Sequence, residues 1–246
     1  NCGWKGNVRA YERKREKKKY EKPPQDVLKS IERKEKTIEY FKKRGISEKT
    51  LEKFLIFNKE EWMPQTQQKE NCICFPYFRD GEMINVKYRD AKKNFKLVKD
   101  AELIFYNLSA IGERKSVIIV EGEIDCLSVY ESGYGVDRDV NEETGELLNP
   151  IFSEIVPISV PNGASKGNQR MEFLDNCSDY FIGLHDIIIA TDNDEEGKML
   201  KDELIIRDIL EAAKRLFSYL FLKKTTMEDI AEAAGKGKST LYYYFP

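Results

Sequence analysis

Three acidic side chains follow two apolar segments of the sequence, at positions where they could bind a divalent cation together. Glu121 comes directly after the apolar run at residues 117–120, and Asp192 and Asp194 come shortly after the run at 186–190. The carboxyl ends of parallel strands lie at one edge of a sheet, where open α/β folds bind their ligands. Alternate residues of an extended segment point the same way, so Asp192 and Asp194 can face one ion. We therefore expect these three carboxylates to bind metal and to be catalytic.

Magnesium is the cation that such a group favours, with manganese as the alternative. Crowded carboxylates raise one another's pKa unless a cation neutralises them. Magnesium is a hard ion that binds one or two carboxylates and keeps water or phosphate oxygens in its other positions. Such a site suits phosphoryl transfer, which depends on charge neutralisation and in-line positioning. Either Glu121 or a metal-bound water would then be the general base. The other acidic residues nearby are expected to be solvated charges: Glu123, Asp125, Glu195 and Glu196.

The acidic residues stand in a part of the sequence where strand and helix patterns alternate. Residues 117–120 form a continuous apolar run, which is typical of a strand buried on both faces, and a helical pattern follows at 124–130. Residues 155–160 and 186–190 repeat the strand pattern, each before a helical stretch. This alternation predicts a parallel sheet with right-handed crossovers, and so an α/β fold over residues 113–204.

A smaller α+β unit is predicted to precede that sheet, over residues 25–112. Apolar residues fall at helical spacing in one stripe from Val27 to Phe41, which Gly45 ends, and Ser47 is expected to cap a second helix. Short apolar runs between residues 72 and 108 surround a turn at Asp80, which predicts a β-hairpin.

The composition of the chain places few limits on its function. Of its 246 residues 34% are charged, but the formal net charge is only −2, so total charge does not indicate a nucleic-acid partner. Nine Lys or Arg against three Glu between residues 5 and 22 indicate a basic linker. Five scattered cysteines, and no long apolar run or signal peptide, favour a soluble, cytoplasmic protein with reduced thiols and no membrane partner. Because the first residue is Asn, we expect the chain to be a piece of a longer protein.

Three phrases of the sequence together resemble the three blocks of a Toprim domain. They are VEGEID at 120–125, SVPNGAS at 159–165 and DNDEEG at 192–197, and the likeness is to primases of the phage-type primase-helicase family and their bacterial relatives. Three further phrases resemble the basic subdomain that precedes Toprim in that family: FPYF at 75–78, NVKYRD at 85–90 and KNFK at 93–96. The likeness covers about residues 1–204. Three blocks in this order are specific for a Toprim domain, whereas a single DxDxxG motif would not be.

The resemblance implies a DNA primase that makes RNA primers on single-stranded DNA in replication. It implies that Glu121, Asp192 and Asp194 bind magnesium, and that the basic subdomain helps to hold nucleoside triphosphates and the single-stranded template. A replicative helicase is the implied partner in the parent system. The residues expected to bind nucleotide or template are Lys87, Arg89, Lys93, Lys96, Asn162 and Gly163. The segment at Asn162 lets the backbone approach a phosphate, and an ordinary turn is the alternative.

Some features of that family are incomplete in this sequence. Cys2 resembles the last corner of a zinc ribbon, but the other three ligands are absent, so residues 1–24 are interpreted as a ribbon remnant with a basic linker and no zinc site is expected in this chain. No P-loop of the GxxxxGK[ST] type occurs. Cys72 and Cys74 are expected to be structural. His185 is the only histidine, which excludes histidine-dependent catalysis.

The C-terminal residues follow a different pattern, which predicts three helices over residues 207–246. An apolar stripe runs from 209 to 220, a capping box from Thr225 to Glu228 opens a second helix that Gly235 ends, and a third helix continues to Tyr244. Three phrases of this segment resemble the DNA-binding domain of TetR-family repressors: ILEAAKRLF at 209–217, TTMEDIAEAAG at 225–235 and KSTLYYYFP at 238–246. By this resemblance the residues that contact duplex DNA are Lys236, Lys238, Ser239, Thr240, Tyr242 and Tyr243. The alternative is a helical tail that uses its tyrosines only as core.

Three functions are open at this stage. The first is a magnesium-dependent primase core, the second a DNA-binding transcription regulator of TetR type, and the third an inactive chimaeric fragment, since both likenesses are incomplete where they join. Because no dimer interface follows Pro246, we expect the helix-turn-helix to fold but to bind duplex DNA non-specifically, with a Kd of roughly 10⁻⁴–10⁻⁶ M.

Overall fold

The computed structural model describes residues 18–133, 154–163, 171–220 and 226–245, so most of the predicted ribbon remnant lies outside the described residues. The first helical elements are a 3₁₀ turn at Gln25–Ser30, α1 (Glu35–Lys42) and α2 (Glu48–Lys53). The stripe predicted from Val27 to Phe41 is therefore interrupted, and its two ends pack into different cores. Ser47 caps α2 as predicted, because its side chain accepts a hydrogen bond from the backbone N–H of Thr50.

A four-stranded antiparallel sheet follows, in the order β1-β2-β3-β4. Its strands are β1 (Phe57–Met63), β2 (Gln68–Arg79), β3 (Glu82–Arg89) and β4 (Phe95–Leu97). The predicted hairpin turn joins β2 to β3, with positive φ angles at Asp80 and Gly81. Successive side chains of β2 alternate between two cores. Phe75 and Tyr77 face the larger core, while Cys74 faces a smaller one on the other side of the sheet.

The second unit contains a parallel sheet in the order β6-β5-β7, which confirms the predicted α/β fold class. Its elements are β5 (Ser116–Val120), α3 (Glu123–Glu131), β6 (Ile155–Ser159), α4 (Glu172–Asn176) and β7 (Asp186–Ala190). The central strand β5 is buried, as its apolar run predicts. In contrast, β7 is largely exposed, with Ile187 at 38% and Ile188 at 40%. It forms an edge because, within the described part of the chain, it pairs only with β5.

The two units share one hydrophobic core, which fixes the antiparallel sheet beside the parallel one. Tyr77 of β2 packs edge-on against Tyr106, with ring centroids 5.1 Å apart. The backbone N–H of Tyr106 donates to the carbonyl of Ser159 in β6 at 2.9 Å. Side chains on the face of the antiparallel sheet that carries Tyr77 therefore lie close to the elements that follow β5 in the chain.

One helix, α5 (Glu195–Leu220), leads from the parallel sheet into the C-terminal segment without a break. The sequence pattern predicts a boundary at 204–207 and a separate helix from 209, whose apolar stripe lies outside the described side chains. Two short helices, α6 (Met227–Ala233) and α7 (Lys238–Tyr244), complete the predicted three-helix unit. Ile205 of α5 packs with Ile230 and Leu241 in a small separate core. The helix-turn-helix is thus built on the helix that begins beside Asp194. In the described part of the chain, no helix is long and apolar enough to cross a membrane.

The capping box of α6 lies one residue later than predicted. The N-cap is Thr226, whose side chain accepts from the backbone N–H of Asp229, while the Asp229 carboxylate accepts from the Thr226 N–H at 2.7 Å. The prediction of Thr225 and Glu228 was wrong because two Thr-x-x-acid pairs overlap in the sequence, and the backbone selects the second. Gly235 ends the helix as predicted, with a φ of +60°.

Candidate functional site

The carboxyl ends of β5 and β7 bring Glu121 and Asp192 into direct contact. Val120 pairs with Ala190 in the parallel register, so Glu121 follows one residue after that row and Asp192 two residues after it. The backbone N–H of Asp192 donates to Oε1 of Glu121 at 2.8 Å. Asp194 lies two residues further on, immediately before α5. We call Glu121, Asp192 and Asp194 the acidic edge.

Gly197, the third residue of α5, allows the helix to begin this close to the acidic edge. A Cβ atom at this position would lie 2.5 Å from Oε1 of Glu121 and 2.2 Å from the carbonyl oxygen of Asp192, so a larger residue would force the segments apart. The Gly197 N–H also donates to Oδ1 of Asp194 at 2.8 Å. The glycine of the DNDEEG phrase is therefore required by close approach of the backbone to a carboxylate.

Electrostatic repulsion at the acidic edge shows in the pKa of Glu121. Burial raises this pKa, the hydrogen bond from the Asp192 backbone offsets part of the effect, and the charges of Asp192, Asp194 and Asp125 raise it further. Burial, followed by the charge of Asp192, likewise raises the pKa of Asp125. Asp125, predicted to be a solvated charge, is exposed as expected but lies close enough to Asp192 to be affected by its charge.

The donor set of the acidic edge fits magnesium, but the side chains do not form a complete cage. Among the described residues no three His, Cys, Asp or Glu side chains converge closely enough to hold an ion by themselves. Magnesium takes only one or two protein carboxylates and completes its shell with water and phosphate oxygens. The charges of Asp192, Asp194 and Asp125 add to the effect of burial on the pKa of Glu121, and a bound cation would offset this repulsion.

Glu123, the first residue of α3, is buried between the two units. It is 3% exposed, and its Oε1 accepts a hydrogen bond from Nζ of Lys87 at 2.8 Å. The hydroxyl of Tyr77 donates to the same oxygen. The expectation that Glu123 is a solvated charge was wrong. Helix α3 begins against the antiparallel sheet, where Lys87 of β3 and Tyr77 of β2 contact the Glu123 carboxylate. The sequence pattern carried no signal for this contact.

The four predicted basic residues do not form one cluster. Lys87 and Arg89 lie two residues apart on β3, so they share the face of the sheet that points towards α3. Lys96 points to the opposite face and pairs with Glu61 at 2.7 Å. Burial alone would raise the pKa of Glu61, but the hydrogen bond and charge of Lys96 lower it overall. Lys93 is exposed in the turn between β3 and β4, with a φ of +65°.

The turn after β6 reaches the acidic edge. Gly163 has a φ of +64°, and a Cβ atom built on it would lie 4.0 Å from the carbonyl oxygen of Glu121. Asn162, beside it, is exposed. The remaining part of the phrase, from Ala164, lies outside the described residues. The structure therefore brings Gly163 close to the backbone of Glu121, with Asn162 as its exposed neighbour in the chain.

Helix α7 exposes most of the residues predicted to contact duplex DNA. Tyr242 and Tyr243 are 50% and 75% exposed, while Leu241 is buried, so the alternative in which these tyrosines serve only as core does not describe them. Lys238 forms an ion pair with Glu228 and lies 5.7 Å from the centre of the Tyr242 ring. The remaining predicted residues are on or beside the same surface and are exposed or half-buried: Lys236, Ser239 and Thr240.

Cys72 and Cys74 are buried, and burial raises the pKa of the Cys72 thiol to about 11 and that of Cys74 still further. Thiols held protonated in this way behave as small apolar side chains. Cys2, the residue that resembles a zinc ligand, lies outside the described residues.

Comparison with known proteins finds likenesses to two different groups. Residues 209–246 match the family model of bacterial regulatory proteins, tetR family. The chain is 33% identical over 169 residues to a primase homolog protein of Arabidopsis thaliana, a match that covers 69% of this chain and 46% of that protein. It is also 33% identical over 180 residues to the chloroplastic and mitochondrial Twinkle homolog protein of the same plant, covering 69% of this chain and 22% of that protein. The chain thus spans less than half the length of each of these relatives.

Solved structures of primases are similar to this chain at a lower level. The primase fragment of the bacteriophage T7 primase-helicase protein has a TM-score of 0.47 and 22% identity, covering 67% of this chain and 59% of that one. The Aquifex aeolicus primase, with its zinc-binding and RNA polymerase domains, has a TM-score of 0.49 and 14% identity, covering 85% and 56%. The relatives and the family model confirm both resemblances: most of this chain is similar to primase-related proteins, and residues 209–246 are similar to bacterial regulatory proteins of the tetR family.

Proposed function

We propose that the chain is the core of a DNA primase, which joins nucleoside triphosphates into RNA primers on a single-stranded DNA template. The hydrogen bond between the Asp192 backbone and the Glu121 carboxylate carries this proposal, because it joins two of the three Toprim-like phrases at one sheet edge. The primase-related plant proteins support the same class of function. A replicative helicase as partner follows from the resemblance alone.

Magnesium, or manganese in its place, would supply charge neutralisation for the reacting phosphates at the acidic edge. Glu121, Asp192 and Asp194 would hold it. Either Glu121 or a water bound to the metal would take the proton of the attacking hydroxyl.

The basic residues would bind the nucleotide and template phosphates from different positions. Arg89 lies on the face of the sheet that points towards α3, and Lys87 holds Glu123 there. Gly163 lies beside the backbone of Glu121, and Asn162 precedes it in the chain. Lys93 reaches out from an exposed turn, whereas Lys96 would have to release Glu61 before it could contact a phosphate. We propose a phosphate contact for each, weakest at Lys87 and Lys96, because these two lysines would first have to release Glu123 and Glu61.

Primer synthesis on a single-stranded template tests the proposal. Glu121→Gln, Asp192→Asn and Asp194→Asn should each lower nucleotide incorporation by about 100-fold or more, since each removes a charge that stabilises the transition state. Glu195→Gln is the matched control, because it removes an exposed carboxylate one residue further along and should leave incorporation almost unchanged. If the unaltered chain makes no primers with either magnesium or manganese, the inactive fragment is the correct reading.

A second candidate function, binding of duplex DNA by α7, is favoured by the family match at residues 209–246 and by the exposed Tyr242 and Tyr243. Duplex binding that survives Glu121→Gln but is lost in Tyr243→Ala would support this regulator-type function. Equal binding by Tyr243→Ala and the unaltered chain would count against it.

A further inference from the structure

Phe95 is an exposed aromatic residue on the same face of the antiparallel sheet as Lys87 and Arg89. In the register of β3 and β4, Phe95 pairs directly with Arg89, and Leu97 pairs with Lys87. Directly paired residues, and residues two apart on one strand, point to the same face of a sheet. The Phe95 side chain is 45% exposed, whereas Phe75 and Tyr77, on the same face of the sheet, are fully buried.

Two cations contact this ring. Nζ of Lys87 lies 5.1 Å from the ring centre, and Cζ of Arg89 lies 5.9 Å from it, both within cation–π distance. Both cationic residues are only 7% exposed. Arg89 also contacts the ring of Tyr40 at 5.0 Å, and none of the ion pairs among the described residues includes it. The exposed ring is therefore backed by positive charge that is not fully neutralised.

The backbone around Phe95 is held in place, so the position of the ring is defined. The side-chain nitrogen of Gln65 donates to the carbonyl oxygen of Phe95 at 2.9 Å. In the preceding turn, Oδ1 of Asp90 accepts from the backbone N–H groups of Lys92 and Asn94, each at 2.8 Å. A ring fixed in advance loses little conformational freedom when a ligand stacks on it.

Phe95 also lies next to the candidate active site. Lys87, which contacts its ring, is bonded to Glu123, and Glu123 follows Glu121 by two residues. The ring is thus separated from the start of α3 by one lysine side chain. A nucleoside triphosphate belongs at the acidic edge, where magnesium bridges phosphate oxygens. Proteins bind single-stranded nucleic acid through aromatic rings on which bases stack and through cations that contact its backbone.

We propose that Phe95 stacks on an unpaired base of the single-stranded template, while Arg89, which forms no ion pair among the described residues, attracts the adjoining phosphate. This assignment rests on the proposed primase function and names the surface that holds the template. Stacking on one aromatic ring is sequence-tolerant, because every base has a π-face. It contributes roughly 5- to 150-fold in affinity for each stacked base.

Anisotropy titration of the full chain with a fluorescent oligothymidylate, without magnesium, tests the proposal. Phe95→Leu keeps an apolar side chain but removes the ring, and should weaken binding by about 5-fold or more. Phe95→Trp should restore binding, and its added indole fluorescence should be quenched by the oligonucleotide beyond the change seen in the unaltered chain. A purely structural role for Phe95 would not produce that quenching.

Trp62 provides the matched control. It is an exposed aromatic residue of the same sheet, at 51%, and no cation–π contact of the described residues involves it. Trp62→Leu should leave oligonucleotide affinity within about twofold. Unchanged affinity in Phe95→Leu, or an equal loss in Trp62→Leu, would overturn the proposal. A loss of nucleoside triphosphate binding in Phe95→Leu, with oligonucleotide binding intact, would assign the ring to the nucleotide instead and overturn it also.

Failure of this proposal is distinguishable from failure of the primase function. Glu121→Gln should abolish primer synthesis and leave Phe95-dependent oligonucleotide binding intact, because the titration contains no magnesium. If the unaltered chain makes primers but Phe95→Leu binds the oligonucleotide normally, only the stacking assignment fails.

Discussion

Nζ of Lys87 lies 2.8 Å from Oε1 of Glu123, within the buried interface between the antiparallel sheet and α3. Tyr77 donates to the same oxygen from the neighbouring strand. This ion pair is the charged link between the basic unit and the segment that carries Glu121. Loss of Lys87 would therefore affect the acidic edge through Glu123 as well as through any phosphate that Lys87 binds.

Glu123→Ala should destabilise the protein by about 3–5 kcal/mol, because it leaves the Lys87 ammonium buried without a partner. The double variant Lys87→Met with Glu123→Ala should cost less than the sum of the two single changes, because it also removes the stranded charge. Urea unfolding of all four proteins measures both quantities. A loss below about 1 kcal/mol in Glu123→Ala would mean that the pair is solvated in solution.

Glu121→Gln should stabilise the metal-free protein slightly at neutral pH, by less than about 1 kcal/mol because the side chain is partly exposed and screened. The folded protein raises the pKa of Glu121, so the ionised form is disfavoured on folding. The cost of ionising Glu121 in the folded protein is complete above its folded pKa, and it is relieved as the pH falls through that value towards the unfolded pKa. Thermal unfolding at pH 4 and pH 7 should therefore show a larger difference at pH 7.

With magnesium bound, the unaltered chain should become more stable than the variants that lack a carboxylate of the acidic edge, because the ion neutralises the carboxylates that repel one another. Added magnesium should raise the unfolding midpoint of the unaltered chain, and should raise that of Asp192→Asn much less. Calorimetric titration gives the affinities directly. Equal magnesium affinity in the two proteins would remove Asp192 from the metal site.

Lys93→Ala should reduce the salt dependence of single-stranded DNA binding by about 0.7 in the slope of log K against log salt, as expected for one lost phosphate contact. Lys93 is exposed in its turn, so it can reach a phosphate without breaking an ion pair observed here. Lys96→Ala should change the slope less, because Lys96 is paired with Glu61. The reverse order of the two variants would show that the Glu61 pair opens on binding.

Tyr244→Phe should destabilise the C-terminal unit by about 1 kcal/mol, since it removes the hydrogen bond from Tyr244 to Asp202 that ties α7 to α5. Burial, followed by the Asp202 hydrogen bond, raises the pKa of Tyr244 to about 12. Its contribution is therefore complete below the unfolded pKa near 10 and is lost as pH rises towards 12. Hydrogen exchange of α6 and α7 measures local stability. No difference between the variant and the unaltered chain would show that the small core of Ile205, Ile230 and Leu241 suffices.

The parallel sheet could be predicted from the sequence because its signals are local. The apolar run at 117–120, the acids that follow it and the glycine of DNDEEG each reflect a strand, its carboxyl end and a close turn into a helix. The same holds for the cap at Ser47 and for the end of α6 at Gly235. Such features depend on residues within one or two turns of each other, so a pattern of period 2 or 3.6 already contains them.

What only the tertiary structure decided are the contacts between segments far apart in the chain. The burial of Glu123 depends on Lys87 and Tyr77, which approach it from another sheet. The exposure of β7 depends on its place at an edge, which an apolar run cannot reveal. The separation of Lys96 from Lys87 and Arg89 depends on the register of β3 and β4, since alternate residues face different cores. Sequence patterns set which side chain each element offers, whereas packing decides whether that side chain meets water, a neighbouring charge or a ligand.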